Sequence, residues 1–495
     1  MSERSLAIIG GGLAGLSAGI YARKNGYETH IFEHHALPGG ACAAWKRRGY
    51  TIDGCIHWLM GTKPGSGMRQ IYEEVGALNG LRLIPVTHYG RFVDETSGLS
   101  LDLVANLDRM AQDMKAISPK DAARVDEIVT GAKAFMNWNF DPRRAPQLMG
   151  FFEALGDLWK NRTLMRYAIQ YFSPINKYAE KFDHPFLQKS IAHAFTPQMP
   201  TLNLLILLGL LAAGDLAVPE GGSEAFVRSM LRTYTELGGQ FHPRSPVSKI
   251  LVERDKAVGL RLEDGEIHRA DVVLSAADGR ATLFGMLEGK YLDSATRKRY
   301  ERWPIFEPVV LVSFGVARAF SGEVSSRTVF LDEPFTVAGE SVPGFHVRIM
   351  NYDPGFAPDG HTVIQVMFES PFDCWETLWR DRPRYELEKA RAADHCLNRL
   401  EAHFPGLRSQ VEVTDVATPM TMWRYTRNHK GAYQGWQMTP EALKTRLPKR
   451  LKGLENFYMT GQWVEPGGGV PTALFSGRQV VQILCAKEKK PFVSG

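Results

Sequence analysis

The chain has 495 residues, enough for two or more domains. Its make-up, 44% hydrophobic and 23% charged, is that of an ordinary globular protein and excludes a disordered or fibrous chain. A net charge of +5 is small for this length and excludes the global basic footprint of a nucleic-acid partner.

The first predicted element is a short buried strand, Leu6-Ala7-Ile8-Ile9, followed by Gly10-x-Gly12-x-x-Gly15. Leu13, Leu16 and Ile20 then recur at helical spacing, so the glycines turn a strand into a helix. The first glycine permits the tight turn, the second lets a pyrophosphate approach the backbone, and the third lets the helix lie close on the sheet. The N–H groups of the helix start, around Leu13 and Ala14, face the phosphates. A second strand, Tyr27 to Phe32, ends at Glu33, where a carboxylate can accept from the ribose hydroxyls of an adenine dinucleotide. This pattern fits NAD and FAD equally. The pair Gly39-Gly40 just beyond it favours an extended FAD, because side chains there would crowd the cofactor; an ordinary Pro-Gly turn is the alternative.

Further along, aromatic-rich helices are expected from about 100 to 215. They include the apolar run Leu202 to Ala213, too short to span a bilayer. It reads either as a core helix or as one lining a tunnel or dipping into a membrane face. Val247 to Val252, Ala257 to Leu262 and Val272 to Ser275 read as strands that return the chain to the nucleotide domain. A mixed segment follows, about 295 to 445. The tail holds a strand at Asn456 to Thr460, a loop from Gly461 to Pro471, and a helix from Thr472 to Cys485. The loop includes Gln462, Glu465 and the run Gly467-Gly468-Gly469-Val470; a helix start here would stabilise a reduced flavin ring.

The five cysteines make no C-x-x-C pair and no metal spacing, as suits a reducing compartment. Cys42 as a redox thiol has no partner at a recognisable spacing. His34 and His35 are loop neighbours that rarely converge on one ion, so no metal is expected. The start of the chain lacks the features of a signal peptide. The basic clusters Lys46-Arg47-Arg48, Lys449-Arg450 with Lys452, and Lys487 to Lys490 read as solvated faces or as contacts to an anionic membrane.

Four separated blocks resemble the phytoene desaturase group of flavoproteins, with its carotenoid isomerase and retinol saturase relatives. They are GGGLAGLSAG through IFEHHALPGG, YTIDGCIHWLMG, VPEGGSEAFVRSMLRTYTELGG, and FYMTGQWVEPGGGVPTALFSGRQ. The segment ATPMTMWRYTRNHKGAYQGW, from Ala417, is similar to one in the isomerase and saturase branches. The resemblance implies an α/β fold: a glutathione-reductase-like, Rossmann-type FAD domain interleaved with an α+β substrate domain. The expected FAD domain comprises residues 1–85, 216–290 and 446–495. Residues 86–215 are expected to be a helical substrate or membrane-facing region, and 291–445 the substrate domain.

The implied cofactor contacts are Gly10, Gly12, Leu13, Ala14, Gly15, Glu33, Gly39, Gly40 and Ala41. To these the resemblance adds His57, Trp58, Val247 at the adenine, Asp278, and Gly461, Gln462, Gly468, Gly469 and Val470 at the flavin. It also implies an apolar polyene or isoprenoid substrate and peripheral membrane contact, while the cysteine usage points to the cytoplasm. With no second dinucleotide fingerprint, oxygen, a quinone or another flavoprotein is the expected electron partner.

Ala41-Cys42 stands where desaturases carry arginine, and with His57-Trp58 it is closer to the saturase branch, so desaturation, saturation and isomerisation all remain open. The candidate catalytic residues are His57, Glu465, Arg424 and Tyr433. Trp138, Phe140, Phe151, Phe152, Phe172, Trp375 and Trp379 are candidate tunnel aromatics. Two rival classes share this fold. One is an amine oxidase, for which Trp423, Tyr425, Tyr433 and Trp436 would form an aromatic cage. The other is a lipid-binding relative of the Rab escort and GDP-dissociation-inhibitor type, which tends to lose the fingerprint retained here.

Overall fold

The computed structural model describes residues 4–139 and 141–495, without the side chains of Phe151, Ala154, Asp157, Leu158 and Thr163. Apolar runs build its first layer. Strands β1 (Arg4–Ile9), β2 (Tyr27–Phe32), β3 (Gln240–His242), β4 (Val272–Ser275) and β5 (Phe457–Met459) form a parallel sheet in the order β3-β2-β1-β4-β5. The central strands are buried almost end to end, as expected for a parallel sheet covered on both faces. The strands come from three distant parts of the chain, so the sheet closes only when those parts meet.

Helices α1 (Leu13–Lys24), α2 (Gly222–Glu236) and α3 (Gly469–Lys487) cover one face. Helices α1 and α3 touch backbone to backbone: a Cβ on Gly477 would sit 2.7 Å from the Ala14 carbonyl oxygen. Ser17 Oγ donates to the Leu474 carbonyl at 2.7 Å across the same crossing. On the other face lies an antiparallel sheet of Val247–Glu253, Lys256–Leu262 and Ile267–Arg269. Its Val247, Ile250 and Leu260 pack with Ile9 and Phe32.

The second layer is a seven-stranded mixed sheet in the order Val411–Ala417, Val309–Val316, Thr362–Glu369, Glu340–Ile349, Ser326–Val337, His88–Asp94, Ser100–Val104. Its last two strands differ from the helical region expected over 86–215. The alternation of buried and half-exposed residues through His88–Asp94 suits a sheet with one covered face, and only then does the chain turn helical. In helix Thr201–Ala212, Leu204, Leu205, Leu207 and Leu208 are buried and not turned toward a membrane, which fits a core helix or one lining an internal tunnel. Among the described residues, no helix is long and apolar enough to cross a bilayer.

Candidate nucleotide and flavin site

The turn after β1 is built by contacts that leave no room for side chains. The Gly10 amide donates to the Phe32 carbonyl at 2.8 Å, joining the turn to the end of β2. A Cβ on Gly15 would sit 2.0 Å from the Gly10 carbonyl oxygen, so the first turn of α1 rests on the glycine turn itself. Gly12 is different: a Cβ there would have no heavy atom nearer than 3.8 Å. Gly12 also caps α1 with no side-chain hydrogen bond. The N–H groups at Leu13 and Ala14, at the start of α1, have no acceptor within the helix, as an anion site requires.

Glu33 is buried at 6% exposure. One of its oxygens accepts from the Gly11 amide at 2.6 Å and the other from the His35 amide at 2.7 Å. Burial raises its pKa, while the backbone donors of His35, Gly11 and His34 pull it down. The carboxylate both ties the turn to the end of β2 and keeps acceptor capacity for a ribose. The Gly39-Gly40 loop lies directly on this turn. The Gly39 amide donates to the Gly11 carbonyl at 2.9 Å, and a Cβ on Gly40 would meet the Gly12 Cα at 3.2 Å. Ala41 follows in a turn closed by the Cys42 amide on the Gly39 carbonyl (3.0 Å). Val247 is packed beside the ends of β1 and β2.

The tail brings a second glycine loop to the first. A Cβ on Gly461 would meet the Ala14 Cβ at 3.2 Å, which puts the loop beside the start of α1. Gly467, Gly468 and Gly469 have φ of 135°, 56° and 75°, a run of left-handed backbone that only glycine adopts readily. Helix α3 starts at Gly469, three residues before the expected Thr472, so the last glycine is its first helical residue. Val470 packs with Leu13 and Leu474 in the shared core. Across the loop, a Cβ on Gly468 would meet Gln434 at 2.6 Å, and one on Gly435 would meet the Gln462 side chain at 2.9 Å. The 417–436 segment therefore lies against this loop.

Glu465 is held by an ion pair with the buried Lys449, whose Nζ also reaches Ser476 Oγ at 3.3 Å. Ser476 in turn accepts from the Gly461 amide at 3.0 Å. Lys449 was expected on a basic surface patch. It is buried instead, because Glu465 supplies the opposite charge that burial demands. Asp278 is buried too, and accepts from the Ala281 amide at 2.7 Å and the His429 amide at 2.8 Å. Burial raises its pKa to about 6 against those donors. It fastens the 417–436 segment to the end of β4.

His57 follows the strand Tyr50–Asp53 and stacks on His346, with ring centroids 5.8 Å apart and planes 14° apart. Burial lowers the pKa of His57 well below the usual value, and Arg348 and His346 lower it further. Burial and Arg348 lower His346 to about 4. Both imidazoles are therefore neutral at neutral pH. Arg348, buried, donates to the Ile56 carbonyl and to the Tyr352 hydroxyl at 2.8 Å. Asp53 accepts from the Ser223 amide at 2.7 Å and its hydroxyl at 2.6 Å, fixing the start of α2 beside His57. Trp58 lies edge-on to Tyr89 at 6.0 Å.

The remaining candidates separate. Arg424 is exposed, with its guanidinium over Tyr425 at 5.3 Å. Tyr433 packs on Phe306 at 5.6 Å, and burial pushes its hydroxyl up, helped by Glu369 and Glu307. The four aromatics proposed as a cage point in different directions. Trp436 packs on Trp463 and Trp303, Tyr425 faces His35, and Trp423 lies under Arg427. Among the tunnel candidates, Trp375 is fully buried in the core beneath the mixed sheet, and Trp379 lies under Arg382 at 3.8 Å. Trp138 packs edge-on to Phe135 at 6.0 Å, Lys444 lies over Phe172 at 4.8 Å, and Phe152 is exposed. Phe140 and the side chain of Phe151 lie outside the described residues.

The glycine turn at Gly10 to Gly15, the uncapped helix start, the buried Glu33 and the second glycine loop fit an adenine dinucleotide whose far end reaches the tail. Together with the parallel sheet and its antiparallel cover, they define a flavin-dependent oxidoreductase with FAD as its cofactor. A family model described as "Flavin containing amine oxidoreductase" matches residues 13–485, and the chain belongs to that family. It is 24% identical over 500 residues to "Prolycopene isomerase, chloroplastic" of Arabidopsis thaliana, covering 97% of this chain and 81% of that protein. It is 25% identical over 509 residues to "zeta-carotene-forming phytoene desaturase" of Myxococcus xanthus, covering 97% and 94%. An oxidoreductase from Methanosarcina mazei shares the fold, with a TM-score of 0.62 at 17% identity over 97% of this chain and 100% of that one.

Proposed function

We propose that this flavoenzyme acts on carbon–carbon bonds of an apolar polyene or isoprenoid. Similarity along nearly the whole chain to two enzymes named for carotenoid chemistry carries the reading. The neutral state of His57 and His346 supports it, as does the dispersal of the four cage aromatics. Bound FAD supplies the hydride acceptor or donor for the reacting bond. The residues of this chain position and exclude water. Gly10, Gly12, Gly15 and Glu33 hold the dinucleotide end, and the Gly461 and Gly467 loops hold the ring end. Glu465, fixed by Lys449, sets the shape of that second loop, which is a positioning role. His57 presents a neutral imidazole that burial and Arg348 keep from taking up a proton, so its part is to position and not to act as the base.

Helices Phe151–Lys160 and Arg162–Tyr171 are the face we assign to a membrane that holds such a substrate. Phe152, Trp159 and Ile169 are 85%, 72% and 83% exposed, and the exposed Lys160, Arg162 and Arg166 suit anionic headgroups.

The FAD-loaded protein, oxidised in one arm and reduced beforehand with dithionite in a second, is incubated anaerobically with a cis-polyene, a retinoid and an amine panel, which tests the reading. A polyene product is expected, with amines leaving the flavin colour unchanged. Its mass assigns the direction: desaturation and saturation alter the hydrogen count, and isomerisation does not. Bleaching by an amine with every polyene untouched would contradict the proposal.

A further inference from the structure

Two of the five cysteines face each other where the Gly39-Gly40 loop ends. The hairpin of Ala44–Arg47 and Tyr50–Asp53 pairs Ala44 with Asp53 and Lys46 with Thr51. The Gly54 amide donates to the Ala43 carbonyl at 3.0 Å, which carries the ladder one pair further. The next pair in this register is Cys42 opposite Cys55. Both cysteines lie in bends just past the ladder, and the Cys42 thiol is in contact with that of Cys55. A disulfide spans roughly 4.4–6.8 Å between Cα atoms. Both side chains join one apolar cluster with Ile56 and Val227, and both are free thiols.

We propose that Cys42 and Cys55 are a reversible dithiol–disulfide pair, closed by exchange with a small disulfide of the glutathione type and reopened by a small dithiol. Cys55, partly exposed, is the sulfur a small molecule meets first; Cys42 is buried. Contact with Cys55 and burial hold the Cys42 thiol well above the usual range, which makes it the resolving sulfur and not the attacking one. The Cys55 thiol loses its proton and attacks one sulfur of the small disulfide. That S–S bond breaks and one thiolate leaves. Cys42 then loses its proton and attacks the Cys55 sulfur of the mixed disulfide, expelling the second thiolate. The two protons end on the two departing thiolates. The cysteines lose two electrons and the small disulfide gains them. The new bond ties the glycine-pair loop, through the Cys42 amide on Gly39, to Asp53, which holds the Cys55 amide at 2.9 Å.

The full-length protein is equilibrated with oxidised glutathione, quenched in acid, alkylated under denaturing conditions and digested with trypsin. Lys46, Arg47 and Arg48 separate the two cysteines into different peptides. Mass spectrometry should find those peptides linked, released by dithiothreitol, with two fewer alkylated thiols than in the reduced protein. In Cys42→Ser the reaction should stop at a glutathione adduct on Cys55, and in Cys55→Ser neither position should react. Cys42→Ala, an apolar replacement at a buried position, serves if the serine variant does not fold. A lasting glutathione adduct on wild-type Cys55, no reaction at either cysteine, or a link to another cysteine would overturn the proposal.

Discussion

Gly12 and Gly15 are three residues apart and do opposite work. A Cβ on Gly15 would run into the Gly10 carbonyl, whereas one on Gly12 would meet Gly39 and Gly40 only at 3.8 Å, ordinary contact distance. Gly12→Ala also keeps an allowed backbone, with φ of −70°. Its FAD-free form is expected to melt with FAD-free wild type, and its affinity for FAD to fall by at least about tenfold, about 1.4 kcal/mol. Gly15→Ala is expected to lose about 1–3 kcal/mol or more of stability through overpacking. Thermal melts and FAD titration of the two variants check this. Equal FAD affinity in Gly12→Ala and wild type would remove Gly12 from the phosphate site. These glycines and Glu33 were legible in the sequence because backbone contact leaves a spaced, short-range signature. Lys449, Asp53, His346 and Arg348 were not. Each acquires its role from a partner that only folding brings near, and Lys449 carried the signal of a surface patch until Glu465 was seen beside it.

At the scale of elements, Asp278 joins the 417–436 segment to the end of β4. Its folded pKa of about 6 lies above the ordinary 3.8. The fold therefore favours the protonated carboxyl. The stability it contributes is complete below about pH 4 and is lost as pH rises through about 6. The shift corresponds to roughly 3 kcal/mol at most. Asp278→Asn fixes the neutral form. The stability of wild type relative to this variant should then fall by about 2–3 kcal/mol between about pH 4 and pH 7, measured by chemical denaturation. Parallel pH profiles would contradict the assignment. The elements of the nucleotide sheet were readable as apolar runs beside glycine turns. The strands His88–Asp94 and Ser100–Val104 were missed because they pair with Ser326–Val337 and each other, and that pairing lies more than two hundred residues along the chain.

Across the whole molecule, the apolar residues fall into two kinds of place. The run Leu202 to Ala213 is greasy on all sides and lies in the core. The helices Phe151–Lys160 and Arg162–Tyr171 are less apolar overall yet leave Phe152, Trp159 and Ile169 in solvent. Hydrophobicity alone left the run Leu202 to Ala213 open between core and membrane face; a buried helix needs no polar face, whereas a membrane-docking one does. Replacing Trp159 and Ile169 with serine should cut affinity for anionic vesicles, read by co-flotation, by about a hundredfold or more, since each buried apolar side chain adds about 1.5–3 kcal/mol, and should leave the thermal melt unchanged. Flotation equal to that of wild type would move the membrane face elsewhere. The substrate was not legible from the sequence, since its site draws on two interleaved regions whose packing no local pattern encodes.

The site and its chemistry depend on FAD lying between the two glycine loops. The most direct measurement is the visible absorption spectrum of the purified wild-type protein beside Gly12→Ala, before and after heat release and addition of FAD. A yellow wild type that releases FAD on heating, beside a folded but colourless Gly12→Ala, is the expected result. A folded, colourless wild type that takes up no added FAD would contradict the flavoenzyme reading at its root.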